Sequence, residues 1–414
     1  MRHLYSILIY LISPFIPLYL LKRSRKNSDY KLFWNERFGV NINNNETKPI
    51  IWIHTVSVGE TSAIAKIVQI LNLKYPNYKL LITSMTPTGR ATATNLYKDV
   101  IIHYIPYDLP HAVKNFYKTF KPKLGMIMET EIWPNLIFYA NKFKIPLFLI
   151  NARLSDKSFS GYNKAKFFLA PILNCFNGIL CQDEITKNNF IRLGYKKEIN
   201  VIGSTKFDFI YDKSKLNKFD FLKEQIKDKK VVVFSSTREG EEDIIIDNLP
   251  NNIDYLIIII PRHLERFSYV ENILIKNNIK YQKRSDNKQL DNETLVLLGD
   301  SMGEMMQYYN ICDLAIIGGS FSNNGGQNLL EPLFLNKPVI FGPSMFNFET
   351  IANNALKENC AIQVKDISEC FREIDTILSD KIKYSELVEN SKRFINEYTG
   401  ASEKTINILS KYLG

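Results

Sequence analysis

Ile50-Ile51-Trp52-Ile53-His54-Thr55-Val56-Ser57-Val58-Gly59-Glu60 decides how this chain is read. Ile50 to Ile53 are apolar and β-prone, and Ser57-Val58-Gly59 breaks the strand pattern. Glu60 then opens a helix with apolar positions at Ile64, Ile67, Val68 and Leu71. A strand that turns through glycine into a helix is where open α/β sheets bind ligands, outside the carboxyl ends of the strands. Glu60 falls in the first helical turn, at that edge. It has two readings: a general base facing the crevice, or an acidic side chain that complements the helix dipole.

The same logic extends along the chain. Strand candidates in the first half are 50–54, 79–83, 100–105, 124–128, 146–150, 178–182 and 200–202, with helical patterns between them. In the second half they are 231–234, 255–260, 294–298, 314–317 and 338–341. Strands alternating with helices imply parallel βαβ units and doubly wound sheets. At 414 residues, two domains are expected. The expected division is a hydrophobic anchor with a basic collar at 1–26, a Rossmann-like domain at 27–208 and a lysine-rich linker at 209–230. A second Rossmann-like domain follows at 231–395, and a C-terminal helix at 396–414 is expected to cross back to the first. Two such domains facing across a cleft are the α/β architecture of GT-B glycosyltransferases.

Residues 4–21 carry no charge and are followed by Lys22, Arg23, Arg25 and Lys26. The run is borderline for a span of roughly 20 residues, and Pro14 and Pro17 interrupt it. The basic cluster follows the apolar run, which argues against a cleaved signal peptide and for a cytoplasmic body. Three readings stay open: a short span, a helix in the membrane plane, or a helix packed on the protein body. The net charge of +10 fits an anionic membrane surface or a phosphorylated substrate. Nucleic acid is not expected as a partner, since no arginine-rich helix, finger or aromatic RNA-binding motif occurs. Part of the charge is discounted, because Lys, Asn and Ile are what an AT-rich genome encodes. The five cysteines (Cys175, Cys181, Cys312, Cys360 and Cys370) lack metal-type spacing and read as buried thiols of a reducing compartment.

Several strand ends carry chemistry. Met128-Glu129-Thr130-Glu131-Ile132-Trp133-Pro134-Asn135 places two carboxylates after a buried strand, with Pro134 suited to a helix first turn. Asn151-Ala152-Arg153 offers a candidate anion contact in Arg153. Gly203-Ser204-Thr205-Lys206 ends the first half with a mobile cation. Pro261 and Arg262 follow a strand, and Arg262 suits a phosphate. Gly299 to Glu304 opens a helix, with Ser301 expected as its cap and Glu304 fitting a capping box. Gly318-Gly319-Ser320-Phe321-Ser322-Asn323-Asn324-Gly325-Gly326-Gln327-Asn328-Leu329-Leu330-Glu331-Pro332 is the densest element. Its glycines are expected to bring backbone N–H groups against phosphate, with Glu331 one turn after Asn328 to accept from ribose hydroxyls. No D-x-D pattern occurs, so no divalent metal is expected.

These stretches resemble the 3-deoxy-D-manno-octulosonic acid (Kdo) transferases of lipopolysaccharide synthesis. HTVSVGE (54–60), TSMTPTGR (83–90), PYDLP (106–110), METEIWPN (128–135), NARLS (151–155), GSTKFD (203–208), PRHLERF (261–267), GDSMGE (299–304), GGSF (318–321), GGQNLLEP (325–332) and FNF (346–348) run in order over nearly the whole chain. Thr205, where leucine is more usual, is the one departure. The resemblance implies a CMP-Kdo donor, a tetraacylated lipid A precursor (lipid IVA) as acceptor, no cofactor, and work at the cytoplasmic face of a bacterial inner membrane. By motif position it implies Glu60 as proton acceptor and Glu129 and Lys206 as transition-state stabilisers. It implies Pro261, Arg262, Met302, Gly303, Glu304, Asn328, Leu329, Leu330 and Glu331 as CMP contacts. The rivals are a UDP-sugar transferase or epimerase of the same fold, and a non-catalytic two-lobed binding protein.

Overall fold

The computed structural model describes residues 2–208, 210–211, 213–226, 229–250 and 252–414. The chain divides into two units, Met1–Asp208 with Tyr398–Gly414, and Phe209–Glu397. Part of the expected linker at 209–230 lies outside the described residues. Its described part holds a 3-10 segment, Lys213–Phe219, and a short helix, Asp220–Ile226.

The first unit is built on seven parallel strands: β1 Ile50–His54, β2 Lys79–Ser84, β3 Ile101–Tyr104, β4 Leu124–Met128, β5 Leu147–Ala152, β6 Gly178–Cys181 and β7 Ile199–Val201. Their order is β3-β2-β1-β4-β5-β6-β7. The central strands are buried along their whole length, so they read as continuous apolar runs instead of alternating ones. Trp52 is fully buried, and its indole N–H donates to Thr83 Oγ1 at 2.8 Å. The strand order reverses between β1 and β4, which pair directly from Ile51↔Leu124 to His54↔Ile127. The loops leaving these two strands therefore diverge at the switch point and leave a place for a ligand.

The second unit repeats the plan with β8 Lys230–Thr237, β9 Tyr255–Pro261, β10 Tyr281–Lys283, β11 Val296–Leu298, β12 Leu314–Ile317, β13 Val339–Phe341 and β14 Ala361–Gln363. The order is β10-β11-β9-β8-β12-β13-β14, and all neighbours are parallel. Two strands here, β10 and β14, were not expected. Both are three-residue edge strands, too short and too little buried to leave an apolar run.

The helix expected to begin at Glu60 is broken in two, Val58–Ala63 and Ala65–Lys74, at Ile64 (φ −89°, ψ 1°). At the other end of the chain, helix Ala401–Leu409 sends Ile406 and Leu409 into the first unit's core. The Asp208 carboxylate accepts from the N–H groups of Gly400 and Ser402 at its start, satisfying donors that a helix N-terminus leaves free. The N-terminal segment forms helices α1 (Arg2–Ile12) and α2 (Ile16–Ser24), joined by a 3-10 turn containing Pro14.

Candidate active site

Glu60 sits in the loop-to-helix turn after β1. Ser57 caps helix Val58–Ala63, its Oγ accepting from the Glu60 N–H at 3.4 Å. The Glu60 carboxylate reaches back to accept from the Val56 N–H at 2.9 Å and the Ser57 hydroxyl at 3.1 Å. This resembles a capping box, with the N–H of Val56, the residue before the cap, in place of the cap's own, so the structural reading of Glu60 holds. It does not exhaust the side chain, because a carboxylate has about four acceptor positions and two are used. Burial pushes the Glu60 carboxyl above its ordinary range; the Val56 N–H opposes the rise, and Glu129 and Glu131 add to it. A carboxyl so placed is poised to take a proton nearer neutrality than a free glutamate would.

Glu129 leaves the adjacent strand β4 with its backbone in the left-handed region, φ 55°. Such a conformation is uncommon outside glycine and clusters at functional sites. Its N–H is held by Ile150 O at 3.0 Å. Lys206 Nζ lies 2.8 Å from Glu129 Oε1. Glu129 Oε1 makes no aligned hydrogen bond, so the contact is ionic rather than directional. Glu131, two residues on, accepts from the Trp133 indole at 2.7 Å, and burial raises its pKa as well. Three carboxyls and one ammonium thus converge at the switch point of the first sheet.

Two residues that the sequence did not single out position this group. Asn151, also left-handed (φ 51°), lies where the β5–β6 register shifts, and its Oδ1 accepts from the Thr205 N–H at 3.0 Å. That bond fixes the turn carrying Lys206. Asp108, buried, accepts from the N–H groups of Asn135 (2.9 Å) and Leu136 (2.7 Å). It is a remote cap for helix Pro134–Lys142, which follows the Glu129 loop. Neither contact is local in sequence, which is why spacing does not disclose them. Arg153 is exposed, with its carbonyl bonded by the Thr130 hydroxyl.

In the second unit, a hollow of about 210 Å³ opens at the carboxyl ends of β8, β9 and β11. Pro261, Arg262, Met302, Gly303, Asn328 and Glu331 all line it, with Ser236 and Gln327. Arg262 follows β9 directly and is exposed. Asn328 Nδ2 donates to Glu331 Oε1 at 3.1 Å, and Asn328 Oδ1 accepts from the Leu330 N–H at 3.1 Å. Burial raises the Glu331 carboxyl, with Asn328 and the charge of Arg262 pulling it back. Gly303 is at φ 76°, a conformation that favours glycine.

Glu304, Leu329 and Leu330 do not line this hollow. Leu329 and Leu330 are core residues. The Glu304 carboxylate is taken by Lys218, by Arg284 at 3.5 Å and by the Ser301 hydroxyl. Ser301 therefore does not cap the following helix, Met305–Ile311, whose N-cap is Glu304 itself. The N–H groups of Gly319 and Phe321 donate to the buried Glu241 carboxylate at 2.6 and 2.9 Å. Gly325 N–H donates to Ser344 Oγ and Gly326 N–H to Gly319 O. These four donors are spent on the second unit's own fold. A Cβ on Gly318 would stand 2.5 Å from Ser236 O, so that glycine serves the close approach of β12 to β8.

Comparison with known proteins agrees with this architecture. Residues 33–209 match the model of 3-deoxy-D-manno-octulosonic-acid transferases, and residues 251–394 match glycosyl transferases group 1. A 3-deoxy-D-manno-octulosonic acid transferase of Haemophilus influenzae is 34% identical over 421 residues, covering 100% of this chain and 99% of that one. Another, of Bordetella pertussis, is 30% identical over 431 residues and covers 100% of both chains. The structure of a UDP-GlcNAc 2-epimerase from Neisseria meningitidis shares the fold at 15% identity, with TM-score 0.57 over 88% of this chain and 100% of that one. With a relative matched end to end at this identity, two parallel Rossmann-like sheets in the GT-B fold and the motif order of the sequence, the chain belongs to the Kdo transferase family, the glycosyltransferases that add 3-deoxy-D-manno-octulosonic acid in lipopolysaccharide synthesis.

Proposed function

We propose that this enzyme moves Kdo from CMP-Kdo onto a tetraacylated lipid A precursor, lipid IVA, with inversion and with Glu60 as general base. The first unit takes the acceptor and the second takes the donor. Glu60 removes the proton of the acceptor sugar hydroxyl as that oxygen attacks the anomeric carbon of Kdo; the bond to the phosphate oxygen breaks, and CMP departs from the opposite face. A single displacement needs a base and no carboxylate nucleophile. Glu129 and Lys206 stabilise charge as the transition state forms, Glu129 also keeping the ammonium in place. Arg262, Met302, Gly303, Asn328 and Glu331, with Pro261, hold CMP. Glu304, Leu329 and Leu330 act behind them, shaping the loops that these residues stand on. The reaction takes place at the cytoplasmic face of the inner membrane, where the basic collar after residue 21 meets anionic lipid.

The observation that carries this reading is the buried Glu60 carboxyl at the β1–β4 switch point, its pKa raised, beside the Glu129–Lys206 pair. The test is incubation of purified protein with CMP-Kdo, generated in situ, and lipid IVA, with product mass as the readout. Gain of one or more Kdo units with release of CMP supports the assignment. Absence of product from active-site-intact protein that still binds CMP refutes lipid IVA as the acceptor.

A further inference from the structure

Helix α1 is inside out. Its inward face carries Arg2, Tyr5, Ser6 and Ile9, and three of these four are polar. Its outward face carries Leu4, Ile7, Leu8 and Leu11, which are 70%, 58%, 54% and 67% exposed. The pattern continues outward through Phe15 and Leu18 in the following turn and α2. A helix on a water-soluble body turns its apolar stripe inward. Here the stripe faces away from the protein, so its medium is apolar.

The inward face is bonded to the first unit by polar contacts, that of Ser6 buried and those of Arg2 and Tyr5 half-buried. Arg2 Nη1 and the Ser6 hydroxyl donate to Asn135 Oδ1 at 3.1 and 3.0 Å, and the Tyr5 hydroxyl donates to Asp108 Oδ2 at 2.9 Å. The Arg2 guanidinium lies 3.9 Å over the Phe138 ring. Further along, the Tyr10 hydroxyl and His111 Nδ1 are 2.9 Å apart. Residues 2–24 are long and apolar enough to cross a bilayer by length and composition. Crossing, however, would pull Arg2, Tyr5 and Ser6 off Asn135 and Asp108. That would strand buried polar groups and carry this polar face into hydrocarbon.

Charge surrounds the apolar ridge on two sides. Lys22, Arg23, Arg25 and Lys26 are exposed at its end. Beside its start, a trough of about 840 Å³ is lined by Phe138, Phe168 and Pro171 and by Phe167, which is 86% exposed, with Lys164 and Lys166 exposed next to it. Apolar side chains flanked by lysine and arginine match the acyl and headgroup layers of an anionic leaflet.

We infer that α1 and α2 lie in the plane of the cytoplasmic leaflet, clamped to the first unit through Asn135 and Asp108, and do not cross the membrane. This deepens the membrane location proposed above and rests on it. Both ends of the segment are then cytoplasmic. The test is His3→Cys, at an exposed position, labelled with a membrane-impermeant maleimide in spheroplasts and in inverted inner-membrane vesicles. The wild-type chain serves as background for Cys175. Labelling confined to inverted vesicles is the expected result. Labelling in intact spheroplasts, or recovery of the protein in the soluble fraction, overturns the inference. As a second arm, Leu8→Glu with Leu11→Glu is expected to lower binding to phosphatidylglycerol vesicles at least tenfold, with an unchanged circular dichroism spectrum. Undiminished binding also overturns it. Kdo transfer, assayed separately in detergent, tells failure of this inference from failure of the proposed reaction.

Discussion

Lys206 Nζ and Glu129 Oε1 stand 2.8 Å apart, although the two residues leave different strands, β7 and β4, at opposite sides of β5 and β6. The ammonium is thus held at the switch point by a carboxylate whose backbone is left-handed, on a turn that Asn151 holds in place. Lys206→Ala is expected to lower kcat about 10²-fold or more, the scale seen when one charge-stabilising donor is removed. Glu129→Gln is expected to lower it as well. The double variant is expected to lose less than the product of the two, because either single change already breaks the pair. Strictly multiplicative losses in steady-state assays count against a joint role.

The capping role of Glu60 and its proposed role as base are separated by one substitution. Glutamine replaces glutamate acceptably in a capping box but is no base. Glu60→Gln is therefore expected to keep the thermal midpoint within a few degrees while turnover falls about 10²-fold or more. Glu60→Ala should lose the same activity and about 1 kcal/mol of stability besides. Near-wild-type turnover in either variant rules out Glu60 as the base.

The acid limb of the rate profile reports the same group. The base acts ionised, and burial places the Glu60 carboxyl above the ordinary range. Activity is expected to rise with pH through a midpoint higher than that of a free glutamate, about 4.3. A profile of kcat/KM with its acid midpoint at or below that value contradicts the burial argument.

Among the described residues lining the second unit's hollow, Arg262 is the one cation, and it is proposed to meet the phosphate. Arg262→Ala is expected to weaken CMP binding by roughly 10- to 100-fold, the range for a hydrogen bond to a charged group. Titration calorimetry with CMP measures this directly, and Glu60→Gln should leave the same affinity unchanged. Equal CMP affinity in Arg262→Ala and wild type places the phosphate elsewhere.

Burial pushes the Asp108 carboxyl up to about 7 against the hydrogen bonds it accepts. A carboxyl raised in the folded state stabilises the fold in its protonated form. That contribution is fully present below the unfolded value, about 3.9, and is lost as pH rises through about 7. The stability difference between wild type and Asp108→Asn is thus expected to shift against wild type between pH 5 and pH 8. Urea unfolding at both pH values checks the slope, and a pH-independent difference is the contrary outcome.

The doubly wound sheets were legible because central parallel strands are buried on both faces. Ile50–His54, Leu124–Met128, Tyr255–Pro261 and Leu314–Ile317 therefore show as apolar runs in one dimension. Edge strands Tyr281–Lys283 and Ala361–Gln363 have no such run and went unread. Strand-end motifs were legible too, since a strand, a turn and a helix start are local events. Glu60, Glu129, Lys206, Arg262 and Glu331 stand out in the sequence for that reason.

What the sequence determined by itself is everything that depends on neighbours along the chain: the strand–helix alternation, the cap at Ser57, and the apolar run beside its basic collar. What only the tertiary structure decided is which distant groups meet. The order β1-β4 puts Glu60 beside Glu129, Asn151 holds the Lys206 turn, and Glu241 takes the N–H groups of Gly319 and Phe321 in the glycine-rich loop. The direction of α1's polar face was likewise invisible, because Asp108 and Asn135 exist as its partners only after the sheet has formed. Hydrogen bonds and ion pairs act over about 3 Å, and only folding brings side chains from separate strands within that reach.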